Sequence, residues 1–167
     1  GRTFDLGDIA DFKVDQAFSY GAWVRSPQRL NGSVFARMDG AKKFRGWDLW
    51  QQGGQFGTHI VEGWPDNAIK VVTEKNVLKS TQWNHIFVTC DGSGKAEGIR
   101  LYYNGAEQAK KIETNNLKSN ADISAETSLQ IGQRSNGAYF EDGFLQDMRI
   151  YSRALTGGEI MALADSG

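Results

Sequence analysis

The sequence predicts an all-β fold, a two-sheet antiparallel sandwich closed by one short C-terminal helix, and three observations carry that expectation. Its 167 residues include 20 glycines and only 2 prolines, a balance suited to many strands joined by tight turns. The apolar residues come in short runs, not in long helical stripes. Between the runs stand turn signals such as Gly53-Gly54, Asp91-Gly92 and Asn104-Gly105, the last being the clearest hairpin turn. A chain of this length buries roughly 70 % of its surface in a single core, so residues 1–167 are read as one domain, excised from a larger protein.

The candidate strands, in order, are Phe18 to Arg25, Val34 to Arg37, Trp47 to Gln51, Gly57 to Glu62, Ala68 to Thr73, Trp83 to Cys90, Ile99 to Tyr103, Ser128 to Ile131 and Phe144 to Tyr151. Asn31-Gly32 and Asp39-Gly40 read as turns, as does Trp64-Pro65-Asp66-Asn67. Ala106 to Thr127 is polar and weakly periodic, and reads as a long connection across one edge of the sandwich. Thr156-Gly157-Gly158-Glu159 has capping-box spacing, with Ile160, Leu163 and Ala164 as a small apolar face behind it.

Charge excludes some functions. With 19 basic and 20 acidic side chains the net charge is −1, so no general field attracts nucleic acid or anionic lipid. The longest apolar runs, such as Ile86-Phe87-Val88, are far too short to span a bilayer. The single cysteine, Cys90, sits in an apolar strand as a small buried hydrophobe.

Three blocks taken together resemble the laminin-G-like jelly-roll family of the concanavalin A-like lectin/glucanase superfamily. The first is Phe18-Ser19-Tyr20-Gly21-Ala22-Trp23-Val24-Arg25. The second runs from Gln82-Trp83-Asn84-His85 through Asp91-Gly92 to the Ile99–Gly105 hairpin, and the third from Phe140, Gly143 and Leu145 through Asp147-Met148-Arg149-Ile150-Tyr151 to Glu159-Ile160. Gly46-Trp47-Asp48-Leu49-Trp50, Thr58-His59-Ile60 and the Trp64 turn look most like copies inside large secreted bacterial proteins of the planctomycete type. The resemblance implies a jelly-roll sandwich in a secreted, periplasmic or cell-surface protein, with Trp23, Trp83 and His85 in the framework. It also implies a structural calcium, for which Asp5, Asp8 and Asp147 are the candidate ligands. Gln146, standing where relatives carry a second acidic residue before the last strand, weighs against that metal.

Catalysis is not expected. Glucanases of this fold set two glutamates and an aspartate on one strand face, and no Glu-x-Asp-x-Glu array occurs here. Asp48 has Gly46 and Trp50 two residues away, neither an acid nor a base. His59 and His85 lie on different strands without neighbouring zinc ligands.

Carbohydrate binding asks for flat aromatic rings beside planar polar groups. In Trp47-Asp48-Leu49-Trp50 the period of two puts Trp47 with Leu49 and Asp48 with Trp50, making Trp50 the candidate for a ligand face. Trp64 stands in a turn beside Asp66 and Asn67, either as a stacking platform or packed under a loop. His59 and Arg37 are candidate hydroxyl partners, and Tyr139 is a candidate from an adjacent loop. The function expected is therefore non-catalytic binding of a polysaccharide or glycan. The alternatives are a protein-interaction or adhesion module and a spacer without a ligand.

Overall fold

The computed structural model describes residues 3–27 and 30–167. Two antiparallel sheets pack face to face, as expected of a jelly-roll sandwich. The larger, seven-stranded sheet runs in the order β1 (Phe4–Asp5), β11 (Gln130–Ile131), β3 (Asn31–Asp39), β4 (Arg45–Gln52), β5 (Gln55–Gly63), β6 (Asn67–Thr73) and β10 (Lys110–Asn115). The five-stranded sheet runs β12 (Phe144–Tyr151), β2 (Phe18–Arg25), β7 (Asn84–Cys90), β8 (Ile99–Tyr103) and β9 (Ala106–Gln108).

Period-two patterning explains which faces meet. Phe18, Tyr20, Ala22 and Val24 of β2 point inward, as do Ile86, Val88 and Cys90 of β7 and Trp47 and Leu49 of β4. Trp47 anchors this core. Its ring centroid lies 4.5 Å from that of Tyr20, 5.8 Å from Phe12 and 6.1 Å from Phe35, and its Nε1–H donates to the Ala10 carbonyl at 2.9 Å. Burial pushes the Cys90 thiol up to about 12, so it carries no thiolate near neutral pH.

The Asn104-Gly105 turn joins β8 to β9 with both residues at positive φ, the two-residue hairpin geometry expected from sequence. The helix α1 (Gly157–Asp165) starts with the capping box at Thr156 and Glu159 and buries Ile160 against Phe87, Tyr102 and Leu155 on the outer face of the five-stranded sheet.

Three expectations change. Ala106 to Thr127 is not merely a connection: it supplies β9 and β10, the edge strands of the two sheets. Asn31-Gly32 opens β3 instead of turning. Glycine is needed there because a Cβ on Gly32 would lie 2.4 Å from the Tyr139 carbonyl oxygen. Trp83 is not core but 38 % exposed, at the foot of β7, and Trp23 is only half-buried.

Candidate functional site

The outer face of the seven-stranded sheet carries the site. Directly paired residues share a face of a sheet. Ala36, Asp48, His59 and Lys70 form one cross-strand row, and Met38, Gly46, Val61 and Ala68 the next. Ser33 and Trp50 face outward from the row beyond Asp48, where Gly57 adds no side chain. The small apolar cluster of Ala36, Met38, Val61 and Ala68 is thus separate from the core, and Phe44 and Trp64 pack against it from the flanking turns.

Asp48 organises this face. It is fully buried, and a buried carboxylate without partners is costly. Its Oδ1 accepts the backbone N–H of His59 at 2.9 Å and lies 2.9 Å from His59 Nδ1. Because a carboxylate only accepts, Nδ1 is the protonated nitrogen, which leaves Nε2 for a ligand. Oδ2 accepts from Arg134 Nε at 3.1 Å and Nη2 at 2.8 Å, and from the Ser33 hydroxyl at 3.3 Å. Burial alone pushes the Asp48 carboxyl up, but His59 and Arg134 outweigh it by charge and hydrogen bonding and hold the group well below the usual carboxylate range.

Arg134 arrives from far along the chain. The segment after β11 lies along β3, fixed by Gly132 N–H to the Val34 carbonyl, Ser135 N–H to Met38 and Ser33 N–H to Ala138, and a one-bridge turn between Arg134 and Gly137 aims the guanidinium over the sheet. Its Cζ sits 4.5 Å from the Trp50 ring and 5.3 Å from Phe44. Trp50 and Trp64 each meet the His59 ring edge-on with centroids 5.3 Å apart. Between them opens a cavity of about 210 Å³ with Met38 and Val61 as floor, Phe44, Trp50 and Trp64 as walls, and His59 and Arg134 as its polar groups.

Of the residues singled out from sequence, Trp50, Trp64 and His59 meet in this cavity. Asp66 and Asn67 do not line it. They border a neighbouring basin of about 420 Å³ together with Lys42, Lys43, Arg45 and Glu62, where Asn67 bonds Glu62 and accepts Lys118 N–H at 2.8 Å. Arg37 faces the other way: it pairs with Trp47 in register and is 3 % exposed. Its guanidinium is consumed by the Ala125 carbonyl at 2.7 and 3.0 Å, the Ile9 carbonyl at 2.8 Å, and Asp8 and Asp11. It clamps two loops to β3 and does not join the site. Tyr139 is exposed on its loop outside the cavity.

The three aspartates named for calcium do not fit a shared ion. Asp5 bonds the Ser128 hydroxyl and Gly7 N–H, Asp8 pairs with Arg37, and Asp147 pairs with Arg149 on the other sheet. Among the described residues no three His, Cys, Asp or Glu side chains converge as a metal site. His85 is buried, as its framework position implies, and its Nδ1 has no hydrogen-bond partner among the described residues.

Known proteins supply the frame for this geometry. The family model for the concanavalin A-like lectin/glucanases superfamily, Laminin_G_3, matches residues 2–161. No curated protein matches the sequence. Among solved structures, the Ruminococcus gnavus IT-sialidase CBM40 bound to α2,3-sialyllactose is similar with a TM-score of 0.73 at 14% identity, over 98% of this chain and 92% of that one. The binding domain of Paraclostridial Mosquitocidal Protein 1 is similar with a TM-score of 0.72 at 19% identity, over 98% of this chain. The binding domain of botulinum neurotoxin DC in complex with rat synaptotagmin II follows at 0.63 and 16%, over 91% of this chain. The chain spans only 41% and 36% of those two toxin chains. All three are binding domains, and at these identities they establish a shared fold.

Proposed function

Because this chain belongs to the concanavalin A-like lectin/glucanases superfamily, we propose that it is a non-catalytic glycan-binding module of a secreted or cell-surface protein, taking one sugar ring between Trp50 and Trp64. One observation carries this reading: an open, aromatic-walled cavity whose two polar groups, His59 and Arg134, are both held in place by a single buried carboxylate.

The arrangement suits a sugar. Aromatic faces accept the apolar face of a pyranose, while the imidazole Nε2 and the guanidinium Nη1, neither engaged by Asp48, can pair with hydroxyls. An ion pair stripped of water adds little stability over apolar residues of the same volume. Its use here is orientation, since donors fixed before binding spare the cost of ordering them afterwards. The sialyllactose-bound neighbour supports a glycan ligand for this fold. The synaptotagmin-bound toxin domain supports the second reading, a protein partner anchored on the same Trp64 turn.

Affinity electrophoresis through gels holding neutral, acidic and sulfated polysaccharides separates the two. The wild-type domain is expected to be retarded by at least one polymer, and Trp64→Ala to bind it about 30-fold more weakly, the loss typical of an aromatic anchor worth roughly 2 kcal/mol. If no polymer retards the domain, the glycan reading fails and the protein-partner reading takes its place.

A further inference from the structure

A second aromatic site lies on the other sheet. At the end of β2, Arg25 pairs with Phe144 of β12, and Val24 pairs with Asn84, which places Trp83 beside Arg25 on the opposite flank. The Arg25 guanidinium carbon lies 4.5 Å from the Phe144 ring and 5.6 Å from Trp83. Phe144 is 54 % and Trp83 38 % exposed. Two large rings left in water on either side of a guanidinium form a ladder across three strands, and the core makes no use of it.

Next to this ladder opens a cavity of about 350 Å³ lined by Arg25, Phe144, Ser80, Thr81 and Asp142, among others. That volume is at the small end of ligand pockets, which run from about 300 to 1,000 Å³. Thr81 and Asp142 both hold positive φ, 64° and 53°. For a β-branched residue such as Thr81 this backbone is unfavourable, and residues held this way gather at ligand clamps.

We propose that this ladder and cavity are a second saccharide site, for a neutral pyranoside, separate from the one between Trp50 and Trp64. The chemistry narrows the occupant. Among the described residues, Arg25 and Asp142 are the charged ones in the lining and have opposite signs, so these groups set up no net field to favour an acidic sugar. An apolar peptide anchor would strip both charges of water without pairing them. A ring with an apolar face and several hydroxyls instead stacks on Phe144 or Trp83 and meets Arg25, Asp142, Ser80 and Thr81 with hydrogen bonds. The cavities lie on different sheets, so a polysaccharide engaging both would bind by avidity, which multiplies affinity by about 10²–10⁴ where the geometry lets both engage.

The test is a nuclear magnetic resonance titration of the indole N–H signals with methyl glycosides of glucose, galactose, mannose and N-acetylglucosamine, and with methyl glucuronide. At least one neutral glycoside should shift the Trp83 signal. That shift should persist in Trp64→Ala and disappear in Phe144→Ala, whose other signals stay in place because Phe144 is exposed. A Trp83 signal unmoved by every neutral glycoside, moved only by the glucuronide, or moved equally in Phe144→Ala overturns the proposal. Shifts at Trp50 and Trp64 report the first site independently: if they move while Trp83 does not, the second site falls and the first stands, and the converse leaves the second standing alone.

Discussion

The outer faces of the two sheets differ in how they hold their side-chain donors. Among the described residues no α-helix covers the face of the seven-stranded sheet, and the buried Asp48 satisfies His59 and Arg134 while leaving an edge of each toward an open cavity. On the five-stranded sheet α1 packs on Phe87 and Tyr102, and beside it Trp23 Nε1, His85 Nδ1 and Arg149 Nε are buried with no hydrogen-bond partner among the described residues. A helix-covered face gains apolar contact at Ile160 and Leu155 and strands donors near it. The uncovered face keeps the donors of His59 and Arg134 paired and usable through one organising anion, although the Gln130 Oε1 acceptor in the same row is buried with no hydrogen-bond partner among the described residues.

Removing the anion should have the largest effect. Asp48→Ala leaves Arg134 and His59 without the carboxylate that holds them, and breaking such a buried pair costs about 3–5 kcal/mol. Urea unfolding should register that loss, and polysaccharide retardation should vanish with it.

Arg37→Ala should come next, at about 2–4 kcal/mol, because the buried Ala125 carbonyl and the part-buried Ile9 carbonyl lose their donor. Its ligand binding, measured on the same gels under folding conditions, should stay unchanged, since Arg37 faces away from the cavity. Loss of binding in a still-folded Arg37→Ala would merge the two roles separated here.

The smallest effect belongs to the covered face. Burial, aided by the Arg149 charge and opposed by the Asp147 carboxylate, pushes His85 down from its ordinary 6.5 to about 4. Between those values the unfolded chain binds a proton that the folded chain refuses, so stability should fall as the pH drops from 6.5 toward 4. Thermal melts of the wild type and His85→Phe across that window should show a shallower acid decline in the variant. Equal slopes would remove His85 from the account.

How much of this could be read from the sequence depends on the range of the interaction. Strands with strict alternation, such as Phe18-Tyr20-Ala22-Val24, were legible because burial on one face leaves a local pattern. The same alternation distinguished Trp47, inward, from Trp50, outward. The edge strands β9 and β10 were not, because short polar strands at a sheet edge carry little apolar periodicity. Arg37 was misjudged because register, which sets it opposite Trp47, is not written in its own neighbours. Arg134 was missed altogether: it meets Asp48 across 86 residues of chain, and nothing in Gln133-Arg134-Ser135 marks a guanidinium aimed at a distant sheet. Phe44 gave no signal either, since its place depends on the turn between β3 and β4 closing over Met38.

A sugar ring seated between Trp50 and Trp64 over the Asp48-held pair is what the proposed function requires. A crystal structure of the domain soaked with an oligosaccharide of whichever polymer retards it in gels tests this most directly. A ring is expected on the Met38 and Val61 floor, stacked at about 4 Å on Trp50 or Trp64, with a hydroxyl on His59 Nε2 or Arg134 Nη1. A sugar ordered elsewhere on the domain, with this cavity empty, would contradict it.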